Sequence, residues 1–118
     1  MSGRSRSAAA AILVALVAAG CGSDRVQLVP GDAAAGEVLY EARCAGCHGA
    51  AGEGAEAGPP LDDPLYVSPG YSDQELARAV RNGAQQEHWD LGAMPGFRSL
   101  NDRELSELVA FVRDLQAG

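Results

Sequence analysis

The chain contains no lysine. All nine of its cations are arginines, set against sixteen Asp and Glu residues, for a formal charge of −7. Proteins that neutralise phosphates carry the opposite balance, so no nucleic-acid partner is expected. No long apolar run is present either. The run of Ala, Ile, Leu and Val from Ala8 to Val17 is about half the roughly 20 residues that a bilayer-spanning helix requires. No segment alternates apolar and polar residues with period two, so the signature of a half-buried strand is missing. No internal repeat is visible.

The N-terminus does have the layout of an export signal. Arg4 and Arg6 form a basic start, Ala8–Val17 an apolar centre, and Ala18-Ala19-Gly20 the small residues of a cleavage point. A buried N-terminal helix would need a polar face or a cap, and neither is there. Arg4-Ser5-Arg6 is not a twin-arginine pair, so export is expected to precede folding. Small residues directly before Cys21 resemble a bacterial lipoprotein signal, in which Cys21 is lipidated and becomes the first mature residue. The competing reading, ordinary cleavage nearby, leaves a free thiol. Of three cysteines in the chain, two belong to the motif described next. An odd exposed thiol is a liability in an oxidising compartment, and lipidation removes it.

Those two stand in Cys44-Ala45-Gly46-Cys47-His48. Cysteines two apart, with histidine directly after the second, are what covalent haem attachment requires. The thiols add to two vinyl groups on one haem edge, and the next residue brings an imidazole to the iron. In a cytosolic chain the same string competes with zinc binding and thiol redox chemistry, and the export signal decides against both. One covalent haem c is expected, with His48 as an iron ligand.

Removing residues 1–20 takes Arg4 and Arg6 away and moves the formal charge from −7 to −9. Only 19 of the remaining 98 residues are Leu, Ile, Val or Phe, just under the roughly 20 % at which a highly charged chain becomes disordered. A haem resolves the conflict by supplying an apolar plate for these side chains to enclose. The apoprotein is therefore expected to be poorly folded. The organisation read here is an export signal over 1–20, a lipid-anchored linker over 21–31 ending in Pro30-Gly31, and one haem domain over 32–118.

Three helices are expected. The first follows the N-cap residue Asp32 to about Arg43, with Gly36, Leu39, Tyr40 and Arg43 on one face. Glycine inside a helix costs about 1 kcal/mol against alanine, which Gly36 would repay by letting another helix come close. The second starts at Ser72 with Glu75 three residues on, carries Leu76, Ala79 and Val80, and ends at Gly83. The third follows Asn101 and Glu104, with Leu105, Leu108, Val109, Val112 and Leu115 in a stripe flanked by Phe111. The fold class is all-α with long Gly/Pro-rich connections.

These landmarks, in this order, resemble the class I c-type cytochromes over about Gly31 to Leu115. The residues that carry the resemblance are Gly36 and Tyr40, then Cys44–Gly49, then Gly58-Pro59-Pro60-Leu61, then Met94-Pro95 and a terminal helix with Phe111. The resemblance implies that the first and last helices cross near the glycine and two aromatics. It implies that the Pro59 carbonyl accepts a hydrogen bond from the other ring nitrogen of His48, fixing its orientation, and that Leu61 packs on the haem. For the sixth iron position the candidates are Met94, His88 or no protein side chain. Met94 lies off any apolar stripe and its Met-Pro step matches the family's distal ligand. His88 lies in the polar stretch Gln85–Asp90 and reads as a surface residue. Trp89, Arg78, Arg81 and Arg98 are candidates for contact with a haem propionate.

His/Met ligation implies an electron carrier rather than an enzyme, lipid-tethered at Cys21 outside the cytoplasmic membrane. Its partners would be redox proteins in or at that membrane, with no small-molecule substrate. The alternatives are a haem subunit of a larger membrane oxidase, reductase or dehydrogenase complex, and a peroxidase-like or gas-binding haem protein, which needs an open sixth position.

Overall fold

Asp32, in extended backbone, accepts a hydrogen bond from Ala34 N and starts α1 (Ala33–Arg43). This is the first helix of a computed structural model that describes residues 24–118. The expected export signal and Cys21 lie outside the described residues. A single turn, α2 (Ala45–His48), follows Cys44, whose carbonyl accepts from both Cys47 N and His48 N. No helix was expected there, because four residues are too few to show a period. Ser72 and Glu75 close a reciprocal capping box at the start of α3 (Asp73–Asn82). Asn101 and Glu104 do the same for α4 (Asp102–Ala117). All three helices read from the sequence are present, and no strand is found among the described residues.

The first and last helices cross where the resemblance implies. A Cβ on Gly36 would collide with the Glu107 backbone carbonyl, so only glycine lets α1 lie this close to α4. Beside it the Tyr40 and Phe111 rings pack with centroids 5.1 Å apart. Gly31 meets the Ser106 carbonyl in the same way, one residue earlier on α4. The close approach buries Ser106 and Glu107 together with Leu105, Leu108 and Val109. Glu107 keeps a partner in Arg103, at 3.0 Å. On α1, Gly36 and Tyr40 are buried, whereas Arg43 is exposed. On α3, Ala77 is the most deeply buried residue, with Leu76 and Val80 packed against the core.

Two irregular segments are tied down by side chains. Arg113 of α4 donates to the carbonyls of Tyr66 (3.0 Å) and Tyr71 (2.6 Å), and Gln116 donates to that of Leu61 (2.8 Å). These bonds satisfy loop carbonyls that would otherwise be left without partners. The second segment is the stretch from Asp24, read from the sequence as part of a linker. It lies along α3 and α4 as a strap. Val26 is 1 % exposed, and its backbone is gripped on both sides by Gln74, which accepts from Val26 N (2.8 Å) and donates to Val26 O (2.9 Å). Gln27 N and Val29 N donate to Asp102 and Ser106, and Asn82 donates to Asp24. Asp102 also pairs with Arg81, joining α3 to α4. Among the described residues no helix is long and apolar enough to cross a membrane.

Candidate haem site

The junction of α1 and α2 separates the two motif thiols. Cys44 is buried and Cys47 is exposed. Burial, with a smaller contribution from Cys47, pushes the Cys44 thiol up to about 11.

His48 ends α2 and is 8 % exposed. Its Nδ1 lies 2.9 Å from the Pro59 carbonyl oxygen. A carbonyl only accepts, so Nδ1 carries the proton and Nε2 keeps its lone pair for a metal. Gly58 makes the contact possible, since a Cβ there would come within 2.6 Å of the Cys47 carbonyl oxygen and 3.0 Å of Nδ1. The sequence marks Gly58 as part of a landmark but gives no reason for it. Tyr40 braces the same turn by donating to Gly49 O at 2.6 Å. Burial pushes its phenol up to about 12, so the donor proton stays in place.

Met94 comes from the loop after α3. Ala84 and Met94 exchange two backbone hydrogen bonds, 3.1 and 2.8 Å, and Phe97 N donates to Val80 O at 2.8 Å. Gly83, at φ 81°, lets this loop fold back on α3, because a Cβ there would strike the Met94 carbonyl. The result is a cavity of about 450 Å³ lined by His48 and Met94 from separate parts of the chain, with Pro59, Leu61, Leu76 and Val112 among its apolar walls. Cys44 lies at its edge. His88 also borders it, but its side chain is 52 % exposed and sits 3.7 Å from Glu87.

Two observations test what this cavity accepts. Among the described residues no group of three or more His, Cys, Asp and Glu could hold a metal ion. Trp89, which also lines the cavity, presents a buried indole Nε1–H. An apolar slot lined by the Cys44 thiol, an imidazole free at Nε2 and an indole N–H fits a haem, an apolar plate that carries two carboxylates.

Comparison with known proteins agrees. Residues 31–112 match the family described as cytochrome c oxidase, cbb3-type, subunit III. No curated protein matches the chain. Among solved structures, the chain is similar to cytochrome cL of Methylophaga aminisulfidivorans, with 33 % identity over 69 % of this chain and 51 % of that one, at a TM-score of 0.54. It is also similar to the c-type cytochrome XoxG of Methylobacterium extorquens, with 26 % identity over 70 % and 48 % of the two chains, at 0.54. Cytochrome cL of Hyphomicrobium denitrificans gives 29 % identity over 69 % and 45 %, at 0.51. The chain spans about half the length of these structures. With Cys44 and Cys47 in the attachment spacing, the family makes haem c the covalent cofactor. The chain belongs to the class I c-type cytochromes, in the family of the cbb3-type oxidase subunit III.

Proposed function

We propose that this protein is an extracytoplasmic one-electron carrier with a single haem c, ligated by His48 and Met94 and tethered to a membrane by a lipid on Cys21. The observation that carries the reading is that one cavity is lined by both His48, with its Nε2 free, and Met94, on a loop bonded back to Ala84 and Val80. The haem supplies the one-electron iron couple, and a thioether ligand favours the ferrous form and raises the potential. Pro59 holds the imidazole in one orientation. The α3 loop holds the methionine. With both axial positions taken by the chain there is no place for a substrate. The family description supports a second reading with the same chemistry, a haem subunit of a larger membrane oxidase. Co-purification separates a permanent subunit from a free carrier.

Oxidised and reduced visible spectra of the purified protein and two variants test the ligand set. Met94→Ala is expected to open the sixth position, lower the potential and admit carbon monoxide to the ferrous iron. His88→Ala is expected to leave the spectrum nearly unchanged. The reverse pattern would make this a bis-histidine cytochrome of lower potential.

The anchor has its own test. Wild-type protein is expected in the membrane fraction and in the detergent phase on partitioning, because each acyl chain of the lipid contributes about 0.8 kcal/mol per buried CH₂ and more than one chain anchors stably. Cys21→Ala is expected to be soluble or to retain its export signal. Wild-type protein found wholly in the soluble extracytoplasmic fraction would remove the lipid from the proposal and leave the carrier intact.

A further inference from the structure

Met94 hangs from one end of one helix. The backbone hydrogen bonds that hold its loop reach Ala84 and Val80, and Met94-Pro95-Gly96 lies directly on the last turn of α3. A Cβ on Gly96 would come within 2.6 Å of the Asn82 carbonyl carbon and 2.8 Å of the Arg81 carbonyl oxygen. A shift of that turn therefore carries Met94 with it.

Side-chain burial holds α3 only thinly. Ala77 is its one buried residue, while Leu76, Ala79 and Val80 line the haem cavity. The strap grips the helix elsewhere. At its start, Gln74 bonds both backbone groups of Val26, which is 1 % exposed. At its end, Asn82 donates to Asp24 at 2.7 Å. The neighbouring Arg81 pairs with Asp102, which also accepts from Gln27 N at 2.7 Å. The Arg81 and Gln27 donors hold the Asp102 carboxyl below the usual carboxylate range, so it stays charged at neutral pH. Asp24, Gln74 and Asn82 line no part of the cavity. Whatever they do to the iron is transmitted through α3.

We propose that the strap over Asp24–Val29 braces the distal ligand: by clamping both ends of α3 it sets how often Met94 leaves the iron. The inference rests on the ligation by Met94 proposed above. Asp24, Gln74 and Asn82 are positioning residues. A thioether is a weak donor, so its time on the iron depends on how stiffly its loop is held. Segments of a protein open locally at less cost than global unfolding. Removing a tie beneath the loop makes that opening cheaper and leaves the α1–α4 crossing untouched.

Imidazole binding to the ferric holoprotein tests this. As imidazole is raised, the binding rate levels off at the rate of Met94 release. Asp24→Ala and Gln74→Ala are each expected to raise that limiting rate about two- to tenfold, the weight of one net hydrogen bond. The effects of Asp24→Ala and Asn82→Ala are expected not to add, because both remove the same bond. Gly36→Ala, at the α1–α4 crossing, is the control for general destabilisation and is expected to leave the limiting rate unchanged. Asp24 is exposed, so its variant carries the test alone if Gln74→Ala fails to retain haem. Unchanged limiting rates in the strap variants would overturn the proposal, as would an equal rise in Gly36→Ala. The near-infrared sulfur-to-iron band of the ferric wild type separates the two readings. Its absence removes Met94 as a ligand and the brace with it, whereas its presence with unmoved rates removes the brace alone.

Discussion

A Cys44→Ala/Cys47→Ala variant, unable to attach haem, is expected to lose cooperative unfolding and near-ultraviolet circular dichroism. The cavity that the haem fills is about 450 Å³. At about 24 cal/mol per Å³ of unfilled cavity, leaving it dry would cost about 10 kcal/mol, as much as the whole stability of a typical domain. Water would fill it in practice, and that exposes Leu61, Leu76 and Val112 instead. The fully buried side chains left to hold the domain together are few: Tyr40, Leu105, Leu108 and Val26 are the largest. The measurement is a thermal melt followed by near- and far-ultraviolet circular dichroism. A sigmoidal transition with native-like spectra would show that the protein scaffold alone suffices.

Gly36→Ala is expected to destabilise the holoprotein although it improves the helix. Alanine gains about 1 kcal/mol of helix propensity over glycine. Against this, its Cβ meets the Glu107 carbonyl and, at 2.9 Å, Phe111 Cβ. The first is backbone of a helix capped at both ends and cannot give way cheaply. Overpacking of this kind costs about 1–3 kcal/mol, and separation of the Tyr40 and Phe111 rings adds to it. A net loss of about 1 kcal/mol lowers Tm by about 4–8 °C in a domain of this size. Comparison with Ala34→Gly, on the exposed side of the same helix, isolates the propensity term. An unchanged or higher Tm for Gly36→Ala would mean that the helices can part without loss.

The parts of the fold that the sequence makes legible are those written in local chemistry. Asp32, Ser72 and Asn101 mark three helix starts because each side chain satisfies backbone N–H groups two or three residues on. Gly36 announces the crossing because glycine in a helix interior needs a reason. What stays hidden depends on distant partners. Arg113 and Gln116 shape the loop from Leu61 to Tyr71, more than forty positions away in the chain, and no periodicity records that. Glu107 and Ser106, polar residues outside the apolar stripe of α4, are buried because two glycines bring backbone against them. At the site, the attachment motif is legible from spacing alone. The Pro59 contact comes only through family resemblance. The role of Gly58 and the burial of the Trp89 N–H become visible only in three dimensions.

The strap from Asp24 to Val29 has a consequence for how such a domain meets its partners. If Cys21 carries the lipid, only Gly22 and Ser23 lie between it and Asp24, where Asn82 clamps the chain, a reach of about 10 Å when fully extended. A domain on so short a leash cannot roam outward to a distant protein. It can only pivot about its foot, with the α3–α4 side always nearest the lipid. Encounter then becomes an angular search at nearly constant height, and partners whose electron-accepting groups lie far above the membrane surface are out of range.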